Sequence, residues 1–281
     1  TMSIHGVLGE TTSYPKNYDA SILFAISRSL GRDEVLKQTG IQADQLTDGV
    51  DVWQAFELSW LNLQGICKVA IARIRIPANS PNIVESKSLK LYLNSLNFTK
   101  FGDMAEVQAL IQKDLSACVG IKVSVEIVPL GGSGFEVQEP LGVCIDEVLD
   151  TEGEVIACDD INSAILSQPP VHQMMTYQFH TNLLRSNCPV TSQPDWGTLS
   201  VSITTNKALD YQKILRYVLT FRQHNGFHEQ CVERIFADFL VNFEPSALMV
   251  QANYTRRGGI DINPVRVLNH ALPAVTRQVR Q

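Results

Sequence analysis

A pattern of apolar residues recurs 125 positions along the chain, and it limits the folds open to this sequence more than any other feature. Ile74 and Ile76 fall on Leu199 and Val201. Leu89, Tyr92, Leu93 and Leu96 fall on Ile214, Tyr217, Val218 and Phe221. Val107, Leu110, Ile111 and Leu115 fall on Val232, Ile235, Phe236 and Leu240, and Val123, Val125 and Ile127 on Leu248, Val250 and Ala252. The outer sets alternate as strands do, and the inner sets repeat every three or four residues as helices do. Few residues are identical. What recurs is the buried face, the part a duplicated fold must keep. The chain is therefore read as α+β: two fused ββααβ-type units, each an antiparallel sheet backed by two helices, in a register without a gap.

Residues 49–150 and 173–281 are assigned to the two domains, with 151–172 as a linker and 1–48 as an N-terminal extension. Within the extension, Ile22 to Ile26 is expected to begin a short helix. Trp53 to Leu61 reads as a strand with Phe56, Leu58 and Trp60 on one face. Cys67 to Ile76 reads as another, with Ala72, Ile74 and Ile76 opposed to Arg73 and Arg75. Helices are expected from Glu85 to Asn97, with Asn82 helping to start the first, and from Asp103 to Cys118, stopped by Gly120.

A hydrophobic fraction of 44% and a charged fraction of 19% allow ordinary cores. The formal charge of −6 disfavours direct nucleic-acid binding, which needs a basic footprint. No apolar run reaches membrane-span length and no signal pattern opens the chain, so a cytoplasmic protein without membrane partners is expected. The six cysteines (67, 118, 144, 158, 188, 231) are scattered without a CxxC pair, which reads as reduced thiols.

The halves differ where chemistry is carried. Cys188 falls opposite Leu63, Asp195 opposite Ala70, and His228-Glu229 opposite Asp103-Met104. Conversely, Glu85-Ser86-Lys87-Ser88 falls opposite Asp210-Tyr211-Gln212-Lys213. Each half looks incomplete, so a site assembled from both is expected. Pro189 and Pro194 stiffen the stretch from Ser186 to Asp195, holding a thiol and a carboxylate on one loop as a nucleophile and its proton partner require. His228-Glu229 opens a helix after Asn225-Gly226-Phe227, where a carboxylate can accept two hydrogen bonds from a heterocycle edge. Lys87 and Lys90 sit near a helix start that disfavours cations, and Arg256-Arg257-Gly258-Gly259 ends a strand. Both features suit an anionic ligand. Gly132-Ser133-Gly134 lacks the rest of a dinucleotide fingerprint, so any nucleotide binds without a Rossmann unit. His228 and Cys231, at i and i+3, leave a zinc site with Cys188 or His180 open, though the spacing is poor.

Asn187-Cys188-Pro189 with Gln193-Pro194-Asp195, Val84 to Tyr92, Gly226-Phe227-His228-Glu229 and Arg256 to Ile260 together resemble the NADPH-dependent 7-cyano-7-deazaguanine reductases. These are nitrile reductases of queuosine biosynthesis, on the tunnelling fold shared with GTP cyclohydrolase I. The division of motifs between two halves resembles the long, tandem-domain subfamily. The resemblance implies ββααββ-like domains, an NADPH cofactor, a 7-deazaguanine substrate and a homodimer. It implies Cys188 as the nucleophile forming a thioimide and Asp195 as the proton donor, with His228 in contact with the reacting substrate. Val84, Glu85, Ser86, His228 and Glu229 are implied in substrate binding, and Ser86, Lys87, Arg257 and Gly258 in cofactor binding, with no metal. Two other readings remain: a zinc-dependent pterin or purine hydrolase of the cyclohydrolase type, and a purine-binding module without activity.

Overall fold

The computed structural model of the chain describes residues 14–131, 134–151 and 160–281, so Gly132, Ser133 and Cys158 lie outside the described residues. In chain order the elements are β1 (Ala25–Ser27), α1 (Ser29–Thr39), β2 (Gly49–Leu61), β3 (Cys67–Pro77), β4 (Asn82–Val84), α2 (Ser86–Asn94), α3 (Met104–Val119) and β5 (Ser124–Val128). They continue with β6 (Val143–Cys144), β7 (Pro170–Asn187), β8 (Pro194–Lys207), α4 (Tyr211–Leu219), α5 (His228–Phe243), β9 (Ala247–Tyr254) and β10 (Ile260–Leu268). Two compact units form, both discontinuous in sequence. The first takes the described residues up to Leu30 with Val50–Glu136 and Arg256–Ile262; the second takes Gly31–Gly49, Val137–Thr255 and Asn263–Gln281.

In the first unit β3 lies between β2 and β5, antiparallel to both. The alternation expected of β3 holds: Ala72, Ile74 and Ile76 are buried in the core with Leu89, Tyr92, Leu93 and Leu96. Asp103 caps α3 by accepting from the Glu106 amide, and Gly120 ends it in the left-handed region at φ +82.

Three local expectations are corrected. Phe56 does not share the face of Leu58 and Trp60, because a bulge between Ala55 and Leu58 reverses the alternation. Trp53 and Ala55 take that face, and Phe56 instead lies under the Arg256 guanidinium, 4.5 Å from the ring centre. Asn82 opens a strand, not a helix, since β4 pairs with β1. That pairing also claims the stretch after Ile22: only a 3-10 turn forms at Ala20–Ile22, and the Glu85 amide donates to the Phe24 carbonyl at 2.9 Å.

In the second unit the strand order is β10-β9-β8-β7-β6, with β6 parallel to β7 and the other pairs antiparallel. Leu199, Val201 and Ile203 of β8 and Leu248, Val250 and Ala252 of β9 meet Ile214, Tyr217 and Val218 of α4, Phe221 just beyond it, and Val232, Phe236, Phe239 and Phe243 of α5. Each such side chain contributes roughly 1.5–3 kcal/mol by leaving water, which is why the apolar pattern decides the fold.

The internal repeat is present, but its register is not unbroken. Helices α2 and α4 correspond at the 125-residue offset, whereas α3 and α5, both 16 residues long, correspond at 124. One residue is lost before α5 and regained before β9, where Val123, Val125 and Ile127 again match Leu248, Val250 and Ala252 at 125. A duplicated hydrogen bond marks the true register. Tyr92 donates to Asp114 at 2.7 Å in the first unit, and Tyr217 donates to Asp238 at 2.6 Å in the second. Connecting loops accept an insertion that a packed helix face does not. Burial pushes the Asp238 carboxyl up, against Tyr217 and Arg234, which both hydrogen-bond it. Tyr217→Phe is expected to cost about 1–2 kcal/mol, since Arg234 still satisfies the carboxylate. An unchanged urea midpoint would refute that estimate.

Candidate active site

The second unit builds one half of the site on a loop and a helix start. β7 ends at Asn187, β8 begins at Pro194, and the chain between them is neither helix nor strand, as the prolines require. The Cys188 amide donates to the Gln193 carbonyl at 2.8 Å, and the Ser192 amide to the Cys188 carbonyl at 3.0 Å. The Asn187 amide donates to the His224 carbonyl at 2.8 Å, and the Gly226 amide to the Asn187 carbonyl at 3.0 Å. Two backbone bonds thus join the residue before Cys188 to the turn before His228. Ser186 pairs with Asp195 across the β7–β8 ladder, setting the carboxylate one step behind the thiol loop.

Cys188 and Asp195 are both buried, at 9% and 4% exposure, so their chemistry is shielded from bulk water. His228 is the first residue of α5, and its Nε2 lies 3.5 Å from Asp195 Oδ2. Glu229 follows in the same helical turn and is also buried. The second unit therefore brings Cys188, Asp195, His228 and Glu229 together. It adds Ser186 and Tyr254, which the sequence reading did not place there as site groups, and Cys231, which it weighed only as a zinc ligand; all three are fully buried. Burial, aided by the Asp195 and Glu229 carboxylates, pushes the Cys231 thiol up to about 12 against the neighbouring Ser186 and Tyr254 hydroxyls. Alternation along β9 (Leu248, Val250, Ala252, Tyr254) was the signal that could have placed the Tyr254 side chain inside.

In the first unit Val84 ends β4 and Glu85 caps α2. One Glu85 carboxylate oxygen accepts from the Lys87 amide at 2.8 Å and the other from the Ser88 amide at 2.9 Å. Asp210 does the same for α4, accepting from Gln212 and Lys213, so capping here is an inherited role of this position. Glu85 is 1% exposed, and burial pushes its carboxyl up despite those two amides. Lys87 is half-buried, whereas Ser86, Arg257 and Gly258 are exposed.

The Arg257–Ile260 turn closes on itself, the Arg257 amide donating to the Ile260 carbonyl at 2.9 Å. Gly258 and Gly259 have φ of +59 and +79, the pair of positive values a type I′ turn requires. A Cβ on Gly258 would lie 3.0 Å from Lys90 Nζ. The glycine therefore lets the turn come against α2, and Ser86 and Lys87 share one unit with Arg257 and Gly258.

These groups define a class: an α+β protein of two related domains, one carrying the residues that nucleophilic chemistry needs and the other the cations that an anionic ligand needs. The family described as nitrile reductase, 7-cyano-7-deazaguanine-reductase N-term, matches residues 14–127, and the family described as QueF-like protein matches residues 194–271. The NADPH-dependent 7-cyano-7-deazaguanine reductase of Psychrobacter cryohalolentis is 57% identical over the full length of both chains, and that of Psychrobacter arcticus equally so. The Acinetobacter baumannii enzyme of the same name is 45% identical over 98% of each chain. The chain belongs to the family of NADPH-dependent 7-cyano-7-deazaguanine reductases.

Proposed function

We propose that this chain is an NADPH-dependent nitrile oxidoreductase that reduces 7-cyano-7-deazaguanine to 7-aminomethyl-7-deazaguanine through a covalent thioimide on Cys188. Family membership supports the reaction. The one structural observation that carries the mechanism is the thiol and the buried carboxylate held at the two ends of a single braced loop.

The chemistry calls for these groups. A nitrile carbon accepts hydride poorly. Addition of the Cys188 thiolate to that carbon gives a C=N unit bonded to sulfur, and Asp195 supplies the proton to its nitrogen. NADPH supplies a hydride in each of two rounds, so one nitrile, two NADPH and two protons give one amine and two NADP+. The Cys188–carbon bond breaks after the first round to release the thiolate. Burial of Cys188 and Asp195 keeps water from the imine-level intermediate. His228 and Glu229 contact the substrate, with Glu229 and Glu85 accepting from the amino-pyrimidinone edge and Val84 and Ser86 lining the pocket. Lys87, Arg257, Ser86 and Gly258 hold the cofactor; arginine suits its phosphates, and the open glycine turn admits close approach.

The proposed product, an aminomethyl deazaguanine, supports a role in queuosine biosynthesis. Free thiols at Cys67, Cys118, Cys144, Cys188 and Cys231 fit the reducing cytoplasm, and a homodimer fits the family's habit of closing sheet edges by association. Among the described residues no helix is long and apolar enough to cross a membrane.

The test is loss of NADPH absorbance with the nitrile present and absent. Two NADPH consumed per amine formed, insensitive to a metal chelator, is the expected result. No consumption, or activity abolished by chelation, would reject it.

A further inference from the structure

We infer that Tyr254 is a positioning residue for this reaction, its ring fixing the His228 imidazole against the Asp195 carboxyl. The inference rests on the reading of Cys188 and Asp195 given above. Little else holds the imidazole. His228 follows Phe227, an N-cap that offers the helix no side-chain hydrogen bond, and its Nε2 is buried with no hydrogen-bond partner. The Asp195 carboxylate stands 3.5 Å away, with no hydrogen-bond direction to orient the ring. The ring of Tyr254 does touch it, with centroids 4.0 Å apart and planes tilted by 48°.

Tyr254 is itself held firmly. It is fully buried, pairs with Gly197 across the β8–β9 ladder, and its carbonyl accepts from Gln281 Nε2 at 3.0 Å. Gly197 makes room for the ring: a Cβ there would lie 3.2 Å from Tyr254 Cδ1. The phenol is not the working part. Its hydroxyl has the Ser186 hydroxyl and the Cys231 thiol as neighbours, and burial keeps it protonated. The aromatic ring is thus the feature that acts on His228, and rotation of the imidazole away from Asp195 is what the ring blocks. Misplacement on this scale can cost ~10²-fold in rate.

The experiment is a double-mutant cycle on NADPH oxidation with the nitrile, run beside mass measurement of the Cys188 adduct formed without NADPH. Tyr254→Leu is expected to lower kcat by roughly 10- to 100-fold, with the adduct still forming. Tyr254→Phe keeps the ring and should stay within about threefold of the parent, because the contact with His228 is made by the ring and not by the hydroxyl. In a His228→Ala background Tyr254→Leu should change kcat by no more than about twofold, since its route of action is gone. Gly197→Ala, which presses on the ring without removing it, should show the same dependence on His228. Equal losses in both backgrounds, or a Phe variant as poor as Leu, would overturn the inference while the parent enzyme remains active. A parent chain that consumes no NADPH with the nitrile would instead overturn the proposed reaction, and this role with it.

Discussion

Cys188→Ala is expected to abolish turnover, lowering kcat by on the order of 10⁴-fold or more, as deletion of a covalent nucleophile does. The same variant should show no mass increase when incubated with the nitrile alone, whereas the parent gains one substrate mass. Both effects follow from one bond: without sulfur, the nitrile carbon never becomes an imine-level acceptor. Cys231 supplies the control. It is also buried, but its thiol is pushed up to about 12, so almost no thiolate exists near neutrality. Cys231→Ala should still form the adduct. An adduct on Cys188→Ala, or its loss on Cys231→Ala in a folded protein, would move the nucleophile to the other thiol.

Asp195→Asn should lower kcat by about 10²- to 10⁴-fold, the usual range for a general acid. The substitution keeps size and hydrogen-bonding capacity but removes the acidic proton, which isolates proton donation from packing. Asp195 is 4% exposed at the start of β8, so water cannot readily replace it. The adduct should form more slowly and still be detectable by mass, since the thiol is intact. An Asn variant within tenfold of the parent would show that the nitrogen takes its proton elsewhere. His228, 3.5 Å from the carboxylate, would then be the next candidate donor.

The residue types of the candidate site were legible because chemistry restricts them. A thiol and a carboxylate each beside a proline, and a double glycine after two arginines, can be read as patterns without coordinates. Glu85 illustrates the limit of such reading. Its sequence context did not show that both carboxylate oxygens cap α2, a role that the matching Asp210 shares in the other copy and that leaves each oxygen a further lone pair. Phe56 shows another limit. A strand's alternation is periodic only while no residue is inserted, and the bulge after Ala55 leaves no compositional trace.

By itself the sequence determined the duplication, the α+β class and the candidate reactive groups, because apolar periodicity and special residue types are local properties of the chain. The tertiary structure decided the rest: the one-residue slip between α3 and α5, the Tyr–Asp bond repeated in each unit, and the contact of Tyr254 with His228. These depend on which side chains meet across elements far apart in sequence. Pairing between strands and helices sets those meetings, and no run of neighbouring residues encodes them.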